Sequence, residues 1–383
     1  MNDTLDATVG PCIQEVRPAP KRGLEVIPCQ VTRPGQLLQL MVGHCPAYGT
    51  LLWHILHPGD GVTQTVGTPE APLRGVWYND EVTPGNSLDP ANNRKFAAFY
   101  WSFLQIGSWR LSQTWAWQLC GVFLSSTLHN SVGGLAWAYK MVLRQFFAPG
   151  GEELQHGVVI QFGGRRSARV HVAYEAFVAD GESLHMTWGI KGTSGNKIWM
   201  HCKNVVRANS GYAGGDYFIC QSCPDYRRFD LDNDEGFYRT ADIVQAAAMQ
   251  TAGRKEKGLL KELEVACGMT YNAESPLYDR DLRGIVKPCS GTRYDACHVW
   301  CSNGVLQREL TSFFASAAEK LSPIGVQLGF PQLAAVCSAN WRFPGESTLQ
   351  KSRTIAPRMF VGRKSIGRAC PGWARQSRSS RCP

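Results

Sequence analysis

Apolar residues in the central part of the chain form short strand-like runs and longer runs at helical spacing. Residues 73–78 and 95–103 are rich in aromatic and branched side chains, which predicts two strands. The segment between them is acidic and contains a Thr-Pro-Gly-Asn sequence at 83–86, which predicts a turn and antiparallel pairing of the two strands. Residues 112–128 and 132–147 contain no proline and space their apolar residues as helices do, so two helices are expected there.

The same pattern continues towards the C-terminus. Strands are predicted at 157–162 and 168–178, and helices at 182–189, 240–267 and from 295 to about 320. Residues 191–235 are irregular and rich in Gly, Asn, Asp and Cys, which indicates an inserted module. Strands that alternate with helices favour the α/β class.

Composition divides the chain into three parts. Residues 1–70 are rich in Pro, Gly and Thr, and are predicted to be a poorly ordered lead-in or a remnant of an upstream domain. Residues 71–330 carry the regular pattern and are predicted to form the folded core, with the insertion at about 191–235. Residues 331–383 are predicted to be an extension that ends in a disordered basic tail.

The formal net charge of +9 comes from the tail. Residues 351–383 contain nine of the 40 Lys and Arg residues and no acid, which leaves 31 bases and 31 acids in the rest of the chain. Steering of nucleic acid by the body as a whole is therefore expected to be weak. Two interpretations stay open for the cluster in the tail: it binds phosphates without sequence preference, or it has no evolved role. Its members are Arg363, Lys364, Arg375, Arg378 and Arg381.

Fourteen cysteines raise the question of the redox environment. The first 16 residues contain no apolar segment of the kind that secretion requires, and no stretch reaches the roughly 18 apolar residues of a membrane span. An intracellular, reducing setting without membrane contact is therefore predicted, in which most cysteines are buried thiols.

Three aspartates stand where strands end or a helix begins, namely Asp80, Asp180 and Asp295. Mg²⁺ prefers oxygen ligands, and two ions held about 3.5–4 Å apart need carboxylates that converge from separate elements. The pattern therefore predicts a two-metal site. The alternative from pattern alone is that each residue is an ordinary strand-end or helix-capping aspartate.

Three segments around these acids resemble the catalytic blocks of large eukaryotic DDE/DDD DNA transposases of the Plavaka, CACTA and Kyakuja-Dileera-Zisupton kind. In residues 73–103, an apolar strand runs into an Asp and a turn, followed by an aromatic strand. In residues 178–204, an Asp precedes a helix and a cysteine-bearing loop, and residues 292–310 contain Asp-x-x-His followed by Gly-Val and an acid. The resemblance covers about three fifths of the chain.

The resemblance implies a ribonuclease-H-like mixed sheet flanked by helices, with a cysteine-containing insertion. It implies that Asp80, Asp180 and Asp295 bind two Mg²⁺ or Mn²⁺ ions. Glu309 is an alternative third acid, and Glu81 is a weaker alternate for Asp80.

The resemblance also draws attention to Cys202 and to the pair Cys220 and Cys223. Zinc requires four ligands at tetrahedral corners, and His201 is the candidate for the fourth. The related transposases carry a cysteine where this chain has Trp199. Buried metal-free thiols and a damaged former zinc site are the alternatives.

The function implied is metal-dependent DNA strand cleavage and strand transfer at transposon ends, in the nucleus. The partners implied are the transposon ends, the target DNA and further copies of the chain. Two other functions stay open. One is a catalytically inactive, transposon-derived DNA-binding protein, and the other is a zinc-containing scaffold without catalysis.

Overall fold

The computed structural model describes residues 12–59, 61–84, 94–164, 166–211, 216–223, 225–252 and 257–295. The chain divides into two compact units, 1–294 and 295–383. Only Asp295 of the second unit is described, so the predicted helix from 295 to about 320 and the predicted extension 331–383 lie outside the described residues.

The first unit is a mixed α/β structure built on a seven-stranded sheet. Its strands are β1 (Ile13–Val16), β2 (Cys29–Thr32), β3 (Leu73–Val82), β4 (Phe96–Phe103), β5 (Gln118–Leu124), β8 (Val172–Ala179) and β11 (Thr292–Tyr294). Two smaller sheets pair β6 (Val158–Phe162) with β7 (Arg166–Val170), and β9 (Val205–Val206) with β10 (Ile219–Cys220).

The strand order of the large sheet is β1-β2-β5-β4-β3-β8-β11. Pairing is antiparallel from β1 to β3 and parallel from β3 through β8 to β11. Parallel neighbours require a crossover, and the chain between β5 and β8 contains the longest helix that packs on the sheet. The carboxyl ends of β3, β8 and β11 therefore lie at one edge of the sheet.

Eight α-helices are described. They are α1 (Pro34–His44), α2 (Pro46–Leu56), α3 (Ser108–Leu111), α4 (Ser125–Asn130), α5 (Gly134–Phe147), α6 (Gly181–Trp188), α7 (Asp234–Thr251) and α8 (Lys257–Cys267). No helix in the described part of the chain is sufficiently long and apolar to cross a membrane.

An aromatic core holds α5 against the sheet. Buried residues recur at helical spacing along α5, which lets one face of it contact the strands. Tyr139 stacks on Phe177 of β8 at 4.1 Å between ring centroids, and Trp77 of β3 meets Phe146 edge-on at 5.1 Å. Large aromatic rings in offset or edge-to-face contact contribute more than their buried area alone. This packing fixes β3 and β8 against the same helix.

The predicted helix at 112–128 is wrong. Residues Gln118–Leu124 form β5, which pairs with β2 on one side and β4 on the other. Its side chains alternate at the start of the strand, with Gln118 and Cys120 buried around an exposed Leu119. Two neighbouring strands supply hydrogen bonds along both edges of β5, and these tertiary contacts override the helical spacing.

The N-terminal segment also differs from the predicted lead-in. Strands β1 and β2 belong to the large sheet, and Leu38, Leu52 and Leu56 of α1 and α2 are almost completely buried. The apolar runs of this segment are short, but each finds a partner on the sheet, which is not visible in local composition. Residues 13–56 are therefore part of the same core.

Candidate acidic site at the strand ends

Asp80 lies inside β3, because this strand extends to Val82 and not only to the predicted residue 78. It pairs with Ala98 of β4. Successive side chains of a strand point to opposite faces, so Asp80 shares a face with Tyr78, whereas Trp77 and Asn79 face α5. Asp80 is half-buried.

Asp180 directly follows β8, the strand that is parallel to β3. Trp77 pairs with Phe177 and Tyr78 pairs with Val178 in the parallel register of β3 and β8. Asp80 and Asp180 each come two residues after Tyr78 and Val178, respectively, so the register leads to both acids at the same level. Neighbouring strands are about 4.8 Å apart, which brings the two backbone positions close together.

The third strand on the parallel side of the sheet is β11, which the sequence pattern did not predict. Tyr294, its last residue, pairs with Ala179 of β8. Asp295 is the next residue along the chain, as Asp180 is the next residue after Ala179. Asp80 is thus in β3 and Asp180 directly follows β8, at the carboxyl edge of the parallel part of the sheet, and Asp295 directly follows β11. We call these three positions the acid row.

The Asp180 side chain has a structural role as the N-cap of α6. Its Oδ1 accepts a hydrogen bond of 2.6 Å from the backbone N–H of Ser183, and its backbone is extended, as is usual at an N-cap. The capping alternative considered from the sequence therefore holds for this residue. A carboxylate has further acceptor sites, so capping occupies only part of its capacity.

Glu81, the weaker alternate for Asp80, has a partner of its own. It is next in the strand and therefore faces the opposite side of the sheet. Its carboxylate forms an ion pair of 2.9 Å with Lys95, and half of its side chain is exposed. The other alternative acid, Glu309, lies outside the described residues.

The side chains of the described residues do not form a ready metal centre. Among them, no group of three or more His, Cys, Asp or Glu side chains is arranged to hold a metal ion. The backbone register thus brings the acid positions into one row, while the described carboxylates are not gathered around one point.

A histidine that the sequence analysis missed lies beside the row. Burial lowers the pKa of His185 on α6 from its ordinary value of 6.5, and the negative charges of Asp180 and Glu182 oppose this shift. Both carboxylates are therefore close enough to act on the ring. Glu182 and His185 are three residues apart in the predicted helix 182–189, and this spacing could have suggested their proximity.

The predicted zinc ligands are dispersed over a small apolar cluster in the insertion. Cys202 is fully buried against Val205 and Ile219, and Cys223 packs at the edge of the same cluster. The sulfur of Cys220 is instead 3.1 Å from the hydroxyl oxygen of Ser222. Burial raises the pKa of Cys202, which favours the thiol over the metal-binding thiolate.

His201 has a different sulfur as its neighbour. Its Nδ1 is 3.7 Å from the sulfur of Cys289, a residue that the sequence analysis did not single out. Burial, together with Asp232 and Asp234, raises the pKa of Cys289 to about 11. Burial and the nearby Arg293 lower the pKa of His201. This pair is therefore a neutral thiol beside a neutral imidazole, as is typical of a packed interior.

Neither a protein-family model nor a curated protein matches this chain.

Proposed function

We propose that this chain carries the acidic core of a DDE/DDD-type DNA transposase, which cleaves and transfers DNA strands at transposon ends. One observation supports this more than any other: the parallel register of β3, β8 and β11 leads to Asp80, Asp180 and Asp295 at one edge of the sheet. Residues separated by 100 or more positions in the chain reach this edge because three strands run in the same direction.

The order of strands supports a ribonuclease-H-like core. Three antiparallel strands, β5, β4 and β3, continue into two parallel strands, β8 and β11, on the far side of β3. This is the mixed sheet that the resemblance implies, and α5 covers one of its faces. In this proposal β1 and β2 are additional strands beyond β5, at the other end of the strand order from β11.

The chemistry of the donor set fits divalent magnesium or manganese, because carboxylate oxygens are hard ligands. Asp80, Asp180 and Asp295 would hold the ions, which when bound would lower the pKa of an attacking hydroxyl and stabilise the leaving oxygen of a phosphodiester. The three aspartates themselves need to stay ionised and at fixed positions. The aromatic packing of β3 and β8 against α5 supplies that rigidity.

The N-cap bond of Asp180 sets a condition on this proposal. The carboxylate either keeps its bond to Ser183 and uses its second oxygen for metal, or turns away from α6.

The experiment uses the full chain with supercoiled plasmid DNA in Mg²⁺ or Mn²⁺, since nicking of a plasmid does not require a known end sequence. We expect metal-dependent nicking that falls by about a hundredfold or more in Asp80→Asn, Asp180→Asn and Asp295→Asn. Glu235→Gln is the matched control, because this glutamate is exposed on the first turn of α7 and is not one of the three acids. Equal nicking by the parent and the three variants would refute the assignment.

A catalytically inactive, DNA-binding descendant of a transposase is the second candidate. It is favoured by the side chains of the described residues, which are not gathered into a metal centre, and by the capping role of Asp180. Binding of the plasmid without nicking, together with Mn²⁺ affinity unchanged by Asp80→Asn, would select this candidate over the first.

A further inference from the structure

The connection between β4 and β5, residues 104–117, presents two indole rings to solvent. Trp109, in the short helix α3, is 73% exposed, and Trp115 is 47% exposed. Tryptophan is highly buried on average, because its ring removes a large apolar area from water. Two exposed indoles in one short connection therefore indicate a surface that recognises a partner.

Hydroxyl groups and one cation surround these two indoles. Ser108, Ser112 and Thr114 are exposed, and Arg110, which is also exposed, is the one charged residue of the connection. Residues 90–151 contain no Asp or Glu. Hydroxyl and guanidinium groups donate hydrogen bonds to phosphate oxygens, whereas the centre of a protein interface is contiguous and apolar. The surface is therefore suited to an anionic partner that carries flat rings.

Aromatic rings continue from this connection across the sheet face opposite α5. Trp117 lies 5.9 Å from Tyr78 of β3, and Tyr78 lies 6.3 Å from Tyr100 of β4, both measured between ring centroids. These three residues are half-buried, and Leu119, the strand partner of Tyr100, is 40% exposed beside them. Asp80 follows Tyr78 by two residues, which is about 6.6 Å along a strand. The rings thus lead from the exposed indoles towards the acid row.

We propose that this surface binds an unpaired DNA strand, with bases stacked on Trp109 and Trp115. Every base has a flat π face, so stacking on an indole tolerates any sequence, and the hydroxyl and guanidinium groups would hold the phosphates between the bases. Bases in a duplex stack on each other and present only their edges in the grooves. That the strand is DNA rests on the proposed function, since the aromatic rings lead to Asp80. The preference for unpaired bases rests on the two indoles alone.

The test compares two labelled strands of equal length, a thymidine oligonucleotide and an abasic strand with the same phosphates. Fluorescence anisotropy measures their affinity for the full chain in EDTA, where no divalent metal contributes. Phosphate contacts anywhere on the chain act on both strands, so the ratio of affinities isolates the bases. We expect the parent to prefer the thymidine strand at least about tenfold. Trp109→Ala, Trp115→Ala and the double variant should lose most of this preference, and Trp109→Phe should keep it because phenylalanine also stacks.

Trp199→Ala is the matched control. Trp199 is 38% exposed, lies in the insertion and has His201 as its ring contact. We expect this variant to keep the preference of the parent. Trp109 is mostly exposed, so Trp109→Ala should also leave the urea unfolding curve unchanged, which separates lost stacking from lost folding.

Three outcomes would overturn the proposal. The first is equal affinity of the parent for both strands, and the second is a preference that the double variant retains or that Trp199→Ala loses equally. The third is self-association of the parent, abolished by Trp109→Ala and without any base preference, which would assign this surface to a second copy of the chain. A parent that prefers the thymidine strand but does not nick plasmid would contradict the proposed function alone, and nicking without the preference would contradict this inference alone.

Discussion

Asp180 combines two demands on one carboxylate, because it caps α6 and is also the central acid of the proposed row. Serine is a good N-cap but a poor ligand for Mg²⁺, whereas alanine is neither. We therefore expect Asp180→Ser to preserve the free energy of unfolding and Asp180→Ala to lower it by about 1 kcal/mol. Both variants are expected to lose metal-dependent nicking. Urea unfolding and the plasmid assay measure the two effects separately.

Asn233 provides the control for that comparison. It caps α7 through a 2.8 Å hydrogen bond from the backbone N–H of Gly236, at a helix that does not carry an acid of the row. Asn233→Ala should lower stability by a similar amount and leave nicking unchanged. Full nicking by Asp180→Ser would show that Asp180 only caps its helix.

His185 gives the fold a dependence on pH. Burial lowers its pKa below the value of 6.5 that it has in the unfolded chain, so the unfolded state binds the proton more readily than the native state does. The stability contributed by the neutral ring is complete above about pH 6.5 and is lost as the pH falls towards the lower native pKa. We expect the free energy of unfolding of His185→Gln to vary less between pH 7.5 and 5 than that of the parent. Burial also lowers the pKa of His201, so this residue should contribute a pH dependence of the same sign. If the free energy of unfolding of a His185→Gln/His201→Gln double variant varied more with pH than that of the parent, both assignments would be contradicted.

Among the secondary-structure elements, α1 tests whether the N-terminal segment belongs to the cooperative core. Leu38 is completely buried, so Leu38→Ala should lower the free energy of unfolding by about 2–5 kcal/mol through lost burial and the cavity left behind. Leu24, which is 43% exposed, is the control, and Leu24→Ala should change stability by about 0.5 kcal/mol or less. Tryptophan fluorescence in urea should show one transition. A separate transition at lower urea concentration, whose midpoint is shifted by Leu38→Ala while the main transition is unchanged, would mean that this segment unfolds independently.

Elements with a self-contained pattern were predictable from the sequence. β3, β4 and β8 are runs of aromatic and branched residues, and α5 repeats its apolar residues over four turns, so local preference and tertiary environment agree. β5 was not predictable, because its strand conformation depends on β2 and β4, which are distant in sequence. β11 has only three residues and acquires its identity by pairing with β8.

The same distinction applies to the acid row and to the cysteines of the predicted zinc site. The acids of the row follow strands and could be found from the sequence, but their common level depends on a register that only the folded sheet provides. Cys289 reaches His201 from a loop 88 residues away, and no spacing in the sequence indicates this contact.

At the scale of the whole molecule, β3 contributes side chains to both faces of the large sheet. Asp80 and Asn79 are consecutive residues, yet Asp80 belongs to the acid row whereas Asn79 is on the face that contacts α5. Strand alternation thus keeps the acid of β3 apart from the aromatic core on the other face of the sheet.

The distribution of charge predicts how DNA affinity depends on salt. Outside residues 351–383 the bases and acids are equal in number, so the nine basic residues of that segment supply the whole net charge. Replacing Arg375, Arg378 and Arg381 with Gln should reduce the magnitude of the slope of log affinity against log salt by up to about 3, because fewer counterions are released from DNA.

Replacing three exposed arginines of the body, Arg22, Arg110 and Arg227, removes the same charge and should reduce the slope by less. Fluorescence anisotropy with duplex DNA at several salt concentrations measures both slopes. A larger reduction of the slope by the body variant would show that residues 1–350, despite their equal numbers of bases and acids, carry the principal phosphate-binding surface.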